Sequence, residues 1–375
     1  MHSTLSQPLV RVSARSALLE RQLGRYRPQY QGAVRALAAQ HSRVADLALS
    51  FPTLLFALAV PRRGLDPACA IDGTIAGIAL AQVAAAADVP LWLRRLPPEA
   101  LSRPLGRLPD SKSFRLQIAN HLPSRKIASF WLQSVADIGE SAHEAIAVWI
   151  AREVIREKRN VKLDRLRLVG LWAWYSGQPE TLGYKMIQNP WTPDMRMASA
   201  LSAADDWRTN ISLHINLGSE PITDPWLRPA CVSGYDFLPL TSISDISDEA
   251  KAMRNCLRTY GYNLAHNRSR LWSMRKDGRR VATLKVGTGY RDPLPAVVEL
   301  KAAGNELPPR DVWWAARQWL NMHDLSQVDM KRRDWGTAPL DRATWISLWR
   351  PYWLAKRRIP GWLPLGASRA ALEAL

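Results

Sequence analysis

Lys276-Asp277-Gly278-Arg279 stands between two runs that read as strands, Arg270 to Arg275 and Arg280 to Val286, and this decides how the region folds. An Asp-Gly pair supplies the two left-handed positions of a tight hairpin turn, so the flanking runs pair antiparallel. A third strand is expected from Pro295 to Ala302. A helix begins near Asp248, capped by Asp245 or Ser247, with Asp248 and Glu249 suited to its positive end. Another is opened by Pro308-Pro309 and carries Trp313, Trp314, Arg317 and Trp319. Residues 244–323 thus read as α, β-hairpin, β, α.

Helical periodicity dominates what precedes. From Ala33 to Ser176, Ala-rich and Leu-rich segments are broken at Pro61, Pro97, Pro98, Pro104, Pro109 and Pro123. Between Glu140 and Arg159, Ala142, Ala145, Ile146, Trp149, Ile150 and Val154 fall on one face. Leu163 to Tyr175 reads as a partner helix burying Leu166, Leu168, Leu171 and Trp172. Residues 178–243 form an irregular connecting segment, with short strands expected at Asn210 to Leu217 and Tyr235 to Leu240. Residues 324–375 form a basic, Trp-rich helical tail, in which Asp341 caps a helix that Pro351 weakens or ends. The expected fold class is α+β and mostly helical. A helical domain spans 1–177 and a small α-β-hairpin-β-α module spans 244–323, followed by the tail.

At 375 residues and 47% hydrophobic content the chain can fill at least one large core. Its formal charge of +18 is extreme for a metabolic enzyme and suits a polyanionic partner, most simply DNA or RNA. An acidic protein docking on the helical N-terminal domain is the competing explanation. The three cysteines, Cys69, Cys231 and Cys256, are far apart, which excludes a disulfide framework and a cysteine-rich zinc site. Arg11 and Arg15 interrupt the opening segment, and the most apolar run, Thr74 to Ala87, is too short to span a bilayer. A cytoplasmic protein without a membrane partner is expected. Neither His121 nor His143 has a second ligand at helical spacing. Phosphate-loop, dinucleotide-binding and Gly-x-Ser-x-Gly patterns are missing from the sequence. No cofactor is expected.

The chemistry-bearing residues gather in the module. If one helix runs from Asp248 to Asn263, then Met253, Cys256, Tyr260 and Asn263 share a face, flanked by Lys251, Arg254 and Arg258. Cys256 reads either as a small buried hydrophobe, which is favoured, or as a thiol activated by nearby arginines with His266 as its base. Tyr260 is either a core ring with a tied-off hydroxyl or part of a phosphate site. Strand alternation brings Thr283, Lys285, Glu299 and Lys301 towards the same region.

Order adds specificity to these motifs. The acidic-small pair Glu249-Ala250 precedes Met253, Cys256 and Tyr260, spaced as Met-x-x-Cys-x-x-x-Tyr; Ala282-Thr283-Leu284 and Gly304-Asn305 follow. In that order they resemble the PcfJ-like proteins of plasmids and other mobile elements, over Ser242 to His323, about a fifth of the chain. Asn255 stands where the family usually has His, Lys285 where it has an acid, and Glu299 where it has Gln. Gly304-Asn305 also lacks the family's intervening residue. An exchange of charge between Lys285 and Glu299 as a cross-strand pair would reconcile two of these departures. The resemblance implies a link to mobile DNA and brings no established activity.

Three functional expectations follow. In the favoured one the chain is a nucleic-acid-binding accessory protein of a mobile element, or of defence against one. Arg254, Arg258, Lys285 and Lys301 contact phosphate, and Tyr260, Thr283, Gly304 and Asn305 shape the pocket. The basic clusters of the tail, including Arg332, Arg333, Arg357 and Arg358, add phosphate contacts, and its tryptophans are either groove or core. The first alternative is a metal-dependent nuclease, with Asp292 and Glu299 holding Mg²⁺ and Lys301 assisting the water. The second is a protein-interaction scaffold. Tyr260, Glu299, Lys301 and Cys256 are the candidates for any catalysis.

Overall fold

The computed structural model describes residues 16–157, 161–218, 221–288, 294–330 and 342–358. The protein is a mostly helical α+β fold with one five-stranded antiparallel sheet. Two compact units are present, one of residues 1–177 with 190–202, the other of 178–189 with 203–375. No helix among the described residues is long and apolar enough to cross a membrane.

The first unit is helical. Residues 16–23 (α1) are followed by α2 (Pro28–Ala38), α3 (Ser42–Ser50), α4 (Pro52–Ala59), α5 (Ala68–Ala76), α6 (Leu80–Ala86) and α7 (Lys112–Ile118). Then come α8 (Ala128–Ser141), α9 (Glu144–Arg156) and α10 (Leu163–Ser176). Proline opens α2 and α4, where a missing N–H costs nothing. The helix expected from Glu140 is two, because Ala142 leaves helical geometry and His143 starts α9 extended. Trp131, Trp149 and Trp172 are sealed inside the unit. The Trp131 and Trp149 indoles donate to the Ala151 and Met195 carbonyls at 2.9 and 2.8 Å. Buried Glu153 accepts from the Met197 amide and pairs with Arg152 and Arg156.

The second unit holds α11 (Leu182–Lys185), residues 203–217 of α12 (Met197–Leu217), the sheet, and α13 (Ile243–Met253), α14 (Gly261–Ala265), α15 (Arg310–Asn321) and α16 (Arg342–Lys356). Residues 210–217, expected as a strand, are helical. Ile211, Leu213 and Ile215 alternate like a strand but lie on a helix buried on several sides, where strand alternation is no guide. The strands are β1 (Ala230–Val232), β2 (Tyr235–Pro239), β3 (Ser269–Lys276), β4 (Arg279–Thr288) and β5 (Pro295–Lys301), paired in that order. Asp277 and Gly278 have φ of 49° and 75°, the left-handed pair the hairpin requires.

The faces of the sheet differ. One presents Phe237, Trp272, Met274, Ala282, Leu284, Val286 and Leu300, over which α15 lays Val312, Ala315, Ala316 and Trp319. The Trp319 ring stacks on Phe237 at 4.6 Å and meets Trp272 edge-on at 4.7 Å. On the other face Leu271 packs with Leu240, Ile246, Ala250, Leu257 and Leu264 beneath α13 and α14. Gly261 permits a close approach there, since a Cβ would lie 3.1 Å from the Leu213 Cα of α12, tighter than ordinary contact.

Pro351 lies inside α16 and does not end it. The buried rings of Trp345, Trp349, Tyr352 and Trp353 hold the helix on both sides of the missing donor. The tail tryptophans that are described are therefore core and do not form a groove.

Candidate functional site

Where the α13–α14 layer stops short of covering β4 and β5, the sheet opens into a cleft of about 260 Å³, solvent at its mouth included. Asn255, Cys256, Tyr260, Thr283, Lys285, Glu299, Lys301 and Asn305 line it, with Leu257 on its apolar side.

Chain geometry explains the gathering. A capping box between Ser242 and Asp245 starts α13. Burial alone would raise the Asp245 pKa, but hydrogen bonds from Ser242 and Thr241 hold it below the usual carboxylate range. The helix expected to continue to Asn263 stops at Met253, and Arg254 caps it in the left-handed region at φ 49°. A 3-10 turn over Leu257–Tyr260 and the short α14 follow. The helical face drawn through Met253, Cys256, Tyr260 and Asn263 therefore does not exist. Met253 goes to the core, while Cys256 and Tyr260 reach the cleft from the 3-10 turn.

On the sheet, pairing places Thr283 opposite Lys301 and Lys285 opposite Glu299. A register shift next to that pair sets Val286 opposite Val297, leaving Val298 as an extra residue on β5. The bulge lets Val297 and Leu300 both pack towards the α15 side, while Glu299 and Lys301 stay on the cleft side. After β5, Gly304 at φ 70° and Asn305 at φ 63° turn the chain back and bring Asn305 to the rim.

The polar groups interlock. The Tyr260 hydroxyl donates to Glu299 Oε2 at 2.5 Å, and the Lys285 ammonium lies 4.2 Å from the centre of the Tyr260 ring. Burial, followed by the acceptor and charge of Glu299, pushes the Tyr260 pKa well above the ordinary phenol range, so it remains a donor. Beneath the cleft, Asn255 Nδ2 donates to Thr283 Oγ1 at 3.1 Å, and Thr283 donates to Glu249 Oε1 at 3.2 Å. Glu249 is 0% exposed and takes the Arg280 guanidinium at 2.7 Å. This buried chain anchors Asn255 and Thr283. Nothing at sequence level marked Glu249 and Arg280 as a pair, because they lie 31 residues apart on different elements.

No protein-family model, no curated protein and no solved structure matches this chain. Function must therefore be read from the residues themselves.

Tyr260, Thr283, Lys285, Glu299, Lys301 and Asn305 meet in the cleft, and Cys256 lines it with them. Arg258 does not. Its guanidinium, 14% exposed, binds Asp206 at 3.0 Å and Asn210 at 2.8 Å on α12. The left-handed turn at Arg254 redirects the chain after it, and the exposed Arg254 side chain is not part of the lining either. Cys256 is exposed at the cleft and is not the buried hydrophobe favoured from sequence. Its suggested base, His266, is buried, hydrogen-bonded to the Tyr262 carbonyl at 2.9 Å, and faces elsewhere. Gly304 is exposed and only shapes the turn.

Arg357 and Arg358 are exposed at the end of α16, away from the cleft lining. Arg332, Arg333 and Asp292 lie outside the described residues. Glu299 and Lys301 share the cleft, as an acid-x-Lys pair on a strand must. Among the described residues no group of three or more His, Cys, Asp or Glu side chains could hold a metal ion.

Proposed function

We propose that the cleft is an anion site for the phosphate backbone of DNA or RNA, and that the chain is a nucleic-acid-binding accessory protein of a mobile element or of defence against one. The observation that carries the reading is the convergence of Lys285 and Lys301 with Asn255, Thr283 and Asn305 on one open cleft. Two ammonium groups oppose a single carboxylate there, and Tyr260 already engages one oxygen of that carboxylate. A lysine on a strand acts as a point charge, and amide side chains beside it hydrogen-bond the non-bridging oxygens. The net charge of +18 supplies the long-range attraction such a site needs. The order of motifs, which resembles that of PcfJ-like proteins, is what suggests the association with mobile DNA.

Binding of a labelled duplex and a labelled single strand, measured over a range of salt, tests this. The double variant K285A/K301A is expected to weaken both about equally and to reduce the slope of log affinity against log salt by about 2 for the duplex. Unchanged affinity and slope would remove the cleft from the reading. Salt-insensitive or undetectable binding by the unmodified chain would remove the reading itself.

A further inference from the structure

α15 carries a second surface on the side of the sheet away from the cleft. Its inner face is filled by Val312, Ala315, Ala316 and Trp319. On its outer face Trp314 is 61% exposed, whereas most of the other described tryptophans are buried in cores. One turn to either side stand Arg310 and Arg317, both exposed and neither paired with an acid among the described residues. Asp311 also borders the ring, but it accepts from the Tyr235 hydroxyl at 2.7 Å. Lys276, which closes the hairpin turn, lies 5.3 Å from the centre of the Tyr235 ring and adds its charge to this end of the helix.

An indole that exposed on a helix normally costs solubility, and basic side chains one turn away on both sides give it a chemically defined partner. Unpaired nucleobases present flat π faces next to phosphates, and aromatic rings beside cations bind them without regard to sequence. We infer that the outer face of α15 is a stacking platform for single-stranded nucleic acid. Trp314 takes a base, and Arg310, Arg317 and Lys276 take the flanking phosphates. The inference shares with the preceding proposal only the class of ligand. The cleft reads backbone charge alone, whereas this platform requires a base out of its pair.

The test uses the full chain with a labelled oligothymidylate of about 20 nucleotides and a labelled duplex of equal length. Trp314→Ala is expected to weaken the single strand roughly five- to a hundredfold, the range for losing one stacked base, and to leave the duplex unchanged. Trp314→Tyr should restore most of the loss. Equal losses on both ligands would reduce Trp314 to a structural role, and no loss on the single strand would overturn the platform, as would failure of the chain to bind the oligonucleotide. Loss with Trp314→Ala but none with K285A/K301A would leave the platform standing and sink the cleft. The reverse pattern would sink the platform alone.

Discussion

Tyr260 shows how much one side chain can organise. Its hydroxyl holds Glu299, and its ring carries the Lys285 ammonium, so an acid and a base that oppose each other on adjacent strands are separated by a phenol. Because the folded protein keeps this phenol protonated beyond its ordinary range, the unfolded chain loses the proton first as pH rises. The contribution of Tyr260 to stability is therefore complete below about pH 10 and declines above it. Tyr260→Phe should remove that part of the decline: the stability difference between variant and parent, followed by urea unfolding from pH 8 to 11, should move in the variant's favour above pH 10. A constant difference would contradict the assignment. Thr283, Lys285, Glu299 and Lys301 were legible in the sequence because alternation along a strand assigns faces directly. Arg258 was not, since helical spacing no longer places side chains once α13 has ended at Met253. Glu249 read as a helix-start acid and as part of a motif, but it lies buried well inside α13, and that role depends on Arg280, a partner that no spacing rule supplies.

Among the elements, the hairpin and the third strand followed the sequence closely, because Asp277-Gly278 leaves the backbone few options. The end of α13 left no such mark. Left-handed caps are usually glycine or asparagine, and here the position is arginine, a residue that continues helices well. Arg254→Gly should relieve that conformation and stabilise the protein by about 0.5–1 kcal/mol, seen as a higher urea midpoint with an unchanged slope. Destabilisation would mean that the Arg254 side chain makes a contact worth more than its backbone strain. The strand pattern of 210–217 misleads, and α16 runs on through Pro351, for a common reason: burial within the second unit overrides local preference. A helix enclosed on several sides need not show an amphipathic period, and a proline between buried rings need not break one.

For the molecule as a whole, tryptophan and charge divide the work. The indoles of Trp131, Trp149, Trp172, Trp272, Trp319 and Trp349 fill the interiors of the two units, while among the described lysines and arginines Arg270 alone is buried. Among the described tryptophans Trp314 stands apart by its exposure. Two substitutions of the same residue type on one helix should therefore differ sharply. Trp319→Ala should cost about 3–5 kcal/mol, and Trp314→Ala should lie within about 0.5 kcal/mol of the parent. Similar losses, by thermal or urea unfolding, would show that α15 is packed on both sides. The single supernumerary residue at Val298 has a further consequence for how such a molecule can change over time. Swapping one side chain in β5 edits one contact, but gaining or losing one codon there shifts the phase of everything beyond it. The glutamate and lysine would turn into hydrocarbon and a leucine would turn out to water. Chain length at this point therefore matters more to the cleft than the identity of any one side chain, and a chain altered there would have to rebuild the chemistry of the cleft from other residues.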